Sequence, residues 1–362
     1  MSRTPPSDRP RVVVAMSGGV DSSVTAALLV ERGYEVIGLM LRLWAEPGGE
    51  CNRCCTPDAM ADARAIAGML DIPFYVRDYK TLFKTVIVDP FIEAYAQGLT
   101  PNPCLTCNRV IRFDRLLKEA LSLGAQYLAT GHYARVRQNE AGEYELWRGV
   151  DASKDQSYVL HTLTQQTLPH VLFPLGDYTK DDVRRMAEHY NLPVFNKPDS
   201  QDLCFLGADG YRGFLARHAP QTMIPGDIVN TRGEVLGRHR GLPAYTIGQR
   251  KGLGIAHPEP LYVLQLDPAR NRVVVGTRDE LGRDELTAHS VTYVAGRPLP
   301  GPTRVQAKIR YKARPVPATV TPLPDNRLHA RFDAPLPDIT PGQGFVMYDG
   351  DRVLGGGIIE RP

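Results

Sequence analysis

The chain has 362 residues, of which 43% are hydrophobic and 23% are charged, a composition typical of a globular protein with two or three domains. Its first ten residues are polar and lack the apolar segment of a secretion signal, and no run of about 18 apolar residues follows, so we expect a cytoplasmic protein that does not span a membrane. The net charge is −4 over residues 1–210 and +7 over residues 211–362, which predicts either a polyanionic partner for the second part or a solvated basic surface.

The first 205 residues predict strands that alternate with helices. We expect strands at residues 11–15, 34–44, 72–78 and 126–134, where β-branched and apolar residues are concentrated. We expect helices at residues 23–33 and 57–70, a helix at 81–98 that is bent or broken near Pro90, and a helix from about Cys104 or Cys107 to Leu123. This alternation is typical of βαβ units, so the predicted fold class is α/β with a parallel, doubly wound sheet.

The pattern changes to short strands after about residue 205. Residues 226–239 and 261–276 read as hairpins around turns that contain Gly or Asn. Further strands are expected within 286–295, 303–311, 316–322, 327–333 and 343–360, separated by Pro and Gly. The predicted organisation is therefore an α/β domain over 1–205, a small mixed connector over 206–284, and a C-terminal β-barrel over 285–362.

A glycine-rich loop separates the first strand from the first helix. It consists of Ala15, Met16, Ser17, Gly18, Gly19, Val20, Asp21 and Ser22, and we call it the phosphate loop. Two glycines permit a tight turn of backbone N–H groups, the helix N-terminus adds positive charge, and Asp21 is suited to hold Mg²⁺ through water. The loop has no Lys of the kind that reaches the β- and γ-phosphates in a P-loop, which favours release of pyrophosphate over γ-phosphoryl transfer.

The phosphate loop resembles that of the ATP-dependent adenylating enzymes, a family that includes argininosuccinate synthetase, GMP synthetase and several tRNA thiolases. The shared motif is S-G-G-x-D-S at residues 17–22. The resemblance implies that a carbonyl oxygen is adenylated by ATP with release of pyrophosphate.

Five of the six cysteines lie in two groups. Cys51, Cys54 and Cys55 form the first group, Cys104 and Cys107 form the second, and Cys204 is separate. Six cysteines are too few for a disulfide scaffold, so ligands or reagents are expected. The C-x-x-C at 104–107 alone is compatible with a redox pair, half of a zinc site, part of an iron–sulfur site, or a nucleophile with a neighbour.

Several unusual stretches, in order along nearly the whole chain, resemble the bacterial tRNA-specific 2-thiouridylase family. They are TPNPCLTCN (100–108) with IRF (111–113), ATGHYAR (129–135), SKDQSYVL (153–160), DSQDLCF (199–205), GQRKGLGI (248–255), KIRY (308–311), TPGQ (340–343) and LGGGIIE (354–360). The resemblance implies an adenine nucleotide alpha-hydrolase-like catalytic domain. It also implies ATP-dependent 2-thiolation of the wobble uridine (position 34) of tRNA: the C2 oxygen is adenylated, pyrophosphate leaves, and sulfur then displaces AMP.

The family's nucleophilic cysteine corresponds to Cys107 and its persulfide-bearing cysteine to Cys204. One common form of the family has Asp three residues before the nucleophile, where this chain has Cys104, so an acid/base role at that position is in doubt. Three thiolates could instead hold a [4Fe–4S] cluster at Cys104, Cys107 and Cys204. A zinc site that joins Cys51 or Cys54 to Cys104 and Cys107 is less favoured because the gap between the pairs is long, and incidental thiols are the preferred reading of the first group.

The resemblance also assigns the substrate contacts. It places Leu41 and Gly131 near the adenine; Asn102, Pro103 and Cys104 against the target base; and His132, Lys154, Asp155, Gln156, Arg310, Tyr311 and Gln343 against tRNA. From residue type alone, Lys154 and Arg310 are phosphate contacts of any polyanion-binding protein, and His132 is a structural histidine.

The implied partners are the tRNAs for Glu, Gln and Lys and a sulfur donor, which is a cysteine desulfurase or a persulfide relay protein. Two other classes of function stay open. One is a small-molecule adenylating ligase with the same loop, and the other is a non-catalytic RNA-binding protein. Pyrophosphate release measured with and without tRNA separates the three.

Overall fold

The computed structural model describes residues 9–46, 56–198 and 203–362. The chain forms two compact units. Unit 1 consists of Met1–Val86, Thr106–Phe205 and Asp351–Val353, and unit 2 of Ile87–Leu105, Leu206–Gly350 and Leu354–Pro362. None of the helices in the described parts of the chain is long and apolar enough to cross a bilayer.

The regular elements are numbered here in chain order. The strands up to residue 205 are β1 Arg11–Ala15, β2 Glu35–Arg42, β3 Phe74–Asp78, β4 Tyr127–Ala129, β5 Ala134–Gln138, β6 Tyr144–Arg148 and β7 Val171–Leu172. The helices are α1 Val20–Glu31, α2 Pro57–Met69, α3 Lys80–Phe83, α4 Asp89–Ala96, α5 Pro103–Thr106, α6 Leu117–Ser122, α7 Ser157–Leu160, α8 Lys180–His189 and α9 Gly210–His218. Two segments are π-helical, Lys84–Val88 and Cys107–Leu116.

A parallel sheet with the strand order β3-β2-β1-β4-β7 forms the centre of unit 1. The β-branched run Val12–Val14 is fully buried in this sheet, and α1, α2 and α8 contribute to the core around it. Since β2 lies on one side of β1 and β4 on the other, the strand order reverses at β1. In sheets of this kind the ligand crevice opens at the carboxyl ends of the strands at that point. The predicted parallel, doubly wound sheet is confirmed.

The strand predicted over residues 126–134 is wrong in its second half. Strand β4 ends at Ala129, and Ala134 begins a different strand, β5, which forms an antiparallel hairpin with β6. The sequence analysis did not predict this hairpin. Thr130 and Tyr133 in the break are residue types common in strands, which is why the pattern alone suggested one strand.

The helix type changes just before Pro90, where the sequence predicts a bend or a break. The π-helical segment Lys84–Val88 lies between α3 and α4, and Pro90 is in the first turn of α4. Because proline has no N–H group, it cannot continue the hydrogen-bond ladder of a preceding helix. Residues 87–105, which the sequence analysis placed in the first domain, belong to unit 2, where Tyr95 stacks on Tyr211 and Phe91 packs against Phe214.

Unit 2 contains a mixed sheet and a barrel. The mixed sheet has the order β10-β11-β8-β9, formed by β8 Gly226–Val229, β9 Val235–His239, β10 Tyr262–Asp267 and β11 Arg272–Gly276, and it contains both predicted hairpins. The barrel has the order β12-β15-β14-β13-β16-β17, formed by β12 Arg283–Tyr293, β13 Thr303–Lys308, β14 Val316–Leu323, β15 Arg327–Leu336, β16 Gly344–Asp349 and β17 Arg352–Ile359. Strand β17 also pairs with β12, which closes the barrel as the sequence predicts.

Gly355 is required where β17 meets β12. Its φ angle is +145°, and an added Cβ would lie 2.1 Å from the carbonyl oxygen of Thr292. We expect Gly355→Ala to lower the free energy of unfolding by about 3 kcal/mol, because strain and a backbone clash add together. Urea unfolding measures this. Gly301→Ala is the matched control, since no atom lies within 4 Å of its added Cβ, and equal losses in the two variants would contradict the prediction.

Candidate active site

The phosphate loop follows β1 and is fixed by close backbone contacts. The Met16 N–H donates to the carbonyl oxygen of Leu39 at 2.9 Å, which anchors the start of the loop on β2. Gly18 has a φ angle of +70°, and a Cβ there would lie 2.1 Å from the carbonyl oxygen of Ala59 in α2. Only glycine satisfies both conditions, so the loop lies directly against the first turn of α2.

Serine hydroxyl groups hold the loop in shape from inside. The Ser22 Oγ accepts from the Ser17 N–H at 3.1 Å and donates to the carbonyl oxygen of Gly19 at 3.2 Å. Ser23 Oγ donates to the same carbonyl oxygen at 2.7 Å. Gly19 is the N-cap of α1 and has no side chain to cap the first N–H groups of the helix. These N–H groups and the helix dipole make the loop suitable for phosphate oxygens.

Two lysines outside the motif contact the loop. Lys180 Nζ lies 2.7 Å from Asp21 Oδ1, and the Tyr133 hydroxyl donates to the same oxygen at 2.8 Å. Lys197 Nζ donates to the carbonyl oxygen of Gly18 at 2.9 Å. The sequence analysis noted that the motif contains no Lys, but it did not find these two, which follow the loop residues they contact by 159 and 179 positions. No local pattern marks either lysine.

The residues assigned to the adenine lie at the carboxyl ends of β2 and β4, the strands on either side of β1. Leu41 is in β2 near its carboxyl end, and Gly131 follows β4. A Cβ at Gly131 would lie 3.0 Å from backbone atoms of Asp21 and Ser22, so this glycine lets the β4 end approach the first turn of α1. Both positions are compatible with backbone contacts to a nucleotide, which stay a prediction.

Cys107 and Cys204 lie close together in unit 1. Cys107 begins the π-helical segment and is buried, and no disulfide joins it to Cys204. Burial raises the pKa of the Cys107 thiol to about 11, the neighbouring Cys204 raises it too, and the positive charge of Arg112 and a hydrogen bond from it lower it. The thiol is therefore protonated at neutral pH, and Arg112 is the group placed to stabilise its anion.

Arg112 also contacts His132, and the sequence analysis assigned no role to this arginine. Arg112 Nη1 lies 3.5 Å from His132 Nε2, and Thr130 Oγ1 lies 2.6 Å from His132 Nδ1. Burial, with help from Arg112, holds the pKa of His132 well below its usual 6.5, so the ring is neutral. Because a guanidinium can only donate, Nε2 is the acceptor and Nδ1 carries the proton. The IRF stretch that follows the cysteines was the available signal for Arg112.

A π-helical segment explains how Arg112 reaches Cys107. The two residues are five positions apart, the spacing of π-helical i→i+5 hydrogen bonds. In an α-helix, residue i+5 points away from residue i, whereas the wider π-turn moves it towards the same face. Such segments are rare and occur frequently at functional sites.

Cys104 belongs to unit 2 by its packing, together with the other residues assigned to the target base. Asn102 Oδ1 accepts a hydrogen bond from the Cys104 N–H at 3.2 Å, which fixes the turn that contains Pro103. Across residues 9–46, 56–198 and 203–362, no group of three or more His, Cys, Asp or Glu side chains is assembled to hold a metal ion. Cys51, Cys54 and Cys55 lie outside the described residues, as do residues 199–202 of DSQDLCF.

Two of the three neighbouring residues assigned to tRNA have their side chains bonded within unit 1. Asp155 is buried, and its carboxylate accepts from the Gly149 and Ser157 N–H groups and from the Ser157 hydroxyl. The Gln156 side chain accepts from the Tyr133 N–H at 3.0 Å. Lys154 is half-buried on the same turn. The structure therefore gives Asp155 and Gln156 a role in shaping the turn, and their contact with tRNA stays a prediction.

The basic residue assigned to tRNA in unit 2 also has internal partners. Arg310 donates to the carbonyl oxygens of Ile247 at 3.0 Å and Asp338 at 3.2 Å, and it forms an ion pair with the Asp338 carboxylate at 3.4 Å. The neighbouring Tyr311 is half-buried, and Lys308 Nζ lies 5.9 Å from the centre of its ring. Arg310 therefore joins three loops of unit 2, and a tRNA contact would use its remaining N–H groups.

Gln343 connects the barrel to the segment before the target-base residues. Its Nε2 donates to the carbonyl oxygen of Thr100 at 2.7 Å, and the Thr100 N–H donates to the carbonyl oxygen of Pro341 at 3.0 Å. Gly342 has a φ angle of +90°, and a Cβ there would lie 3.2 Å from Leu99 and Thr100. These contacts place TPGQ directly beside the start of TPNPC within unit 2, although the two stretches are far apart in the sequence.

We expect Cys107 in the metal-free protein to react slowly with iodoacetamide near neutral pH. The reaction rate should increase about tenfold for each unit by which the pH rises, until the pH reaches the raised pKa of the thiol. Arg112→Met should slow the reaction further at alkaline pH, because the charge that lowers the pKa is lost. Peptide mass spectrometry measures alkylation of Cys107 alone. Arg109→Met, an exposed change in the same segment, is the control, and an equal effect there would contradict the role of Arg112.

Comparison with protein families accounts for nearly the whole chain. Residues 10–208 match the family model described as tRNA methyl transferase HUP domain, residues 212–277 the tRNA methyl transferase PRC-barrel domain, and residues 283–359 the aminomethyltransferase beta-barrel domain.

Curated relatives match over almost their full length. The tRNA-specific 2-thiouridylase of Magnetococcus marinus is 52% identical over 96% of this chain and 98% of its own, and that of Moorella thermoacetica is 53% identical over 96% and 99%. Among solved structures, a 4-thiouridine synthetase–RNA complex with bound ATP is 15% identical over 59% of this chain and 50% of its own, with a TM-score of 0.37, too low to carry an argument.

Proposed function

Because the chain belongs to the tRNA-specific 2-thiouridylase family, we propose that it is an ATP-dependent sulfurtransferase that replaces O2 of the wobble uridine (position 34) of tRNA with sulfur. The observation that best supports this is the combination, within unit 1, of a phosphate loop at the reversal of strand order and a pair of neighbouring cysteines. An adenylating loop activates an oxygen, and a cysteine pair delivers a sulfur. A protein that only binds a nucleotide or RNA would not need both the adenylating loop and the cysteine pair.

The first step activates the uridine. Its C2 oxygen attacks the α-phosphorus of ATP, the bond from that phosphorus to the bridging oxygen breaks, and pyrophosphate leaves with the electron pair. The N–H groups of the phosphate loop and the first turn of α1 bind phosphate oxygens. Mg²⁺ fits this site because Asp21 offers the carboxylate oxygen that the ion prefers, and it would neutralise phosphate charge.

The second step delivers sulfur from a persulfide on Cys204. The terminal sulfur attacks C2, AMP leaves, and a Cys204–S–S–C2 adduct forms. The Cys107 thiolate then attacks the Cys204 sulfur, the S–S bond to the substrate breaks, and 2-thiouridine is released. Alternatively, Cys107 attacks the persulfide first, and the released hydrosulfide attacks C2. Both routes end in a Cys107–Cys204 disulfide, which a cellular dithiol must reduce before the next turnover.

Arg112 supports either route because it faces Cys107. Its guanidinium stabilises the thiolate, and the neutral His132 ring accepts a hydrogen bond from it. The thiol, protonated while it is buried, would become reactive when substrate binding changes its surroundings. This restricts persulfide cleavage to the substrate-bound enzyme.

A [4Fe–4S] cluster on Cys104, Cys107 and Cys204 is the alternative route for sulfur. The described residues contain no assembled set of three metal-binding side chains, and we assign no step to a cluster. It would supply an iron on which sulfide binds. The test at Cys104 below separates the two routes.

The substrate and partner assignments follow from the family. We propose that Asn102, Pro103 and Cys104 contact the target base, that Leu41 and Gly131 contact the adenine, and that tRNA is bound by His132, Lys154, Asp155, Gln156, Arg310, Tyr311 and Gln343. The buried side chains in this set would support tRNA binding by stabilising the turns to which they are hydrogen-bonded. The tRNAs for Glu, Gln and Lys are the proposed substrates, and a cysteine desulfurase or a persulfide relay protein is the donor, in the cytoplasm.

The test of the function is pyrophosphate release together with 2-thiouridine formation, with and without tRNA. We expect tRNA-dependent release of pyrophosphate, its loss in Asp21→Ala with tRNA binding retained, and its survival in Cys107→Ser without 2-thiouridine. Adenylation precedes sulfur attack and needs no thiol, which is why these variants separate. Release without tRNA would indicate a small-molecule ligase, and no release would indicate a binding protein.

Cys104→Ser distinguishes the sulfur routes. We expect this variant, purified without oxygen, to keep substantial thiolation activity with a persulfide donor, because Cys104 is only a neighbour in the persulfide route. Iron content, visible absorption and 2-thiouridine are measured together. Simultaneous loss of iron and activity from an iron-containing wild type would rule out the simple persulfide route.

A further inference from the structure

Lys180 occupies an unusual position beside the phosphate loop. It is the first residue of α8, and its side chain is only 9% exposed. Its backbone N–H donates to Asp151 Oδ2 at 3.0 Å, and the preceding Thr179 forms a capping box with Asp182. Two sets of hydrogen bonds therefore fix the backbone at the start of α8. This orients the Lys180 side chain towards Asp21.

The electrostatics of this position are locally unfavourable. A helix N-terminus carries partial positive charge and disfavours a cation in the first turn. A buried ammonium group also loses hydration, which lysine tolerates only when it is paired. Among the described residues, the Lys180 ammonium lies 2.7 Å from the Asp21 carboxylate and 6.0 Å from the centre of the Tyr133 ring. A buried positive charge beside the phosphate loop points to a role in binding the nucleotide.

Lys197 provides a contrast. Its side chain is 38% exposed, and its ammonium is shared between the Asp62 carboxylate at 2.9 Å and the carbonyl oxygen of Gly18 at 2.9 Å. Both partners are fixed parts of the loop and of α2. Lys197 therefore joins the phosphate loop to α2. Lys180 instead reaches the first turn of α1, which presents the N–H groups that bind phosphate.

We propose that Lys180 is a catalytic residue of adenylation, whose ammonium binds the triphosphate of ATP and stabilises the departing pyrophosphate. The inference rests on the proposed function and adds a residue that the motif does not contain. As the uridine oxygen bonds to the α-phosphorus, the electron pair of the breaking P–O bond moves to the bridging oxygen. Lys180 stays protonated and donates hydrogen bonds to the pyrophosphate, so no proton is transferred.

Asp21 and Tyr133 then act as positioning residues for Lys180. Both the Tyr133 hydroxyl and the Lys180 ammonium meet the same oxygen of Asp21, so the carboxylate is oriented before ATP binds. In a P-loop the lysine is part of the motif itself. Here the equivalent charge would come from a helix 159 residues later, which makes adenylation depend on the packing of α8 against α1.

The competing explanation is that Lys180 is only a tether between α1 and α8. The structure offers a matched control, because the Tyr190 hydroxyl at the other end of α8 donates to Glu31 of α1. Tyr190→Phe removes a tether between the same two helices without touching the loop. A structural role for Lys180 predicts that the two substitutions act alike.

The experiment uses the full-length protein with Lys180→Met, Lys180→Gln and Tyr190→Phe. Three quantities are measured: kcat and KM for ATP in tRNA-dependent pyrophosphate release, the affinity for inorganic pyrophosphate by calorimetry, and the melting temperature. We expect both Lys180 variants to lose about 10²–10³-fold in kcat and at least about tenfold in pyrophosphate affinity. We expect Tyr190→Phe to match wild type in both. Lys180→Gln can still donate to Asp21 and covers the case in which Lys180→Met does not fold.

Two results overturn the proposal. One is a folded Lys180 variant with wild-type kcat and pyrophosphate affinity, and the other is an equal loss in Tyr190→Phe. If wild type releases no pyrophosphate with tRNA, the proposed function fails instead, and the calorimetric comparison alone decides the role of Lys180. Weaker pyrophosphate binding in the Lys180 variants then supports it, and unchanged binding overturns it.

Discussion

The reversal of strand order at β1 determines where the active site can be. With β2 on one side and β4 on the other, the segments that follow β1 and β4 diverge and leave a crevice at the carboxyl ends of the strands. The phosphate loop and Gly131 are those segments. The close approaches of Gly18 to Ala59 and of Gly131 to the first turn of α1 are the packing conditions under which both can lie there. Every further part of the catalytic unit is placed relative to this crevice.

Two reactive centres in unit 1 share one arrangement, in which an anionic or potentially anionic group faces a cationic side chain. Asp21 in the phosphate loop faces Lys180, and Cys107 at the start of the π-helical segment faces Arg112. Burial disfavours the Cys107 thiolate, and the largely buried Lys180 ammonium is paired with Asp21. On the proposed persulfide route, the raised pKa of the Cys107 thiol keeps it protonated before substrate binds, and Arg112 stabilises the thiolate that cleaves the persulfide.

Structural features that depend on neighbouring residues could be predicted from the sequence, whereas features that depend on contacts between distant residues could not. The phosphate loop was found because its shape rests on Gly18 and on hydrogen bonds within a few positions, and the barrel strands were found because alternation is local. The β5–β6 hairpin was missed because Thr130 and Tyr133, residue types common in strands, follow Ala129. Lys180 contacts Asp21 from 159 positions away, and Tyr95 stacks on Tyr211 from more than 100 positions away, so no local pattern marks either contact.

The central claim is that the oxygen of the uridine C2 carbonyl becomes bonded to the α-phosphorus of ATP before sulfur replaces it. The most direct test is a tRNA whose wobble uridine carries ¹⁸O at C2, incubated with the protein, ATP and a persulfide donor. Mass spectrometry of the products then locates the label. The account predicts that one ¹⁸O appears in the phosphate of AMP for each 2-thiouridine formed. Label found in water or in inorganic phosphate, with unlabelled AMP, would contradict adenylation of the base.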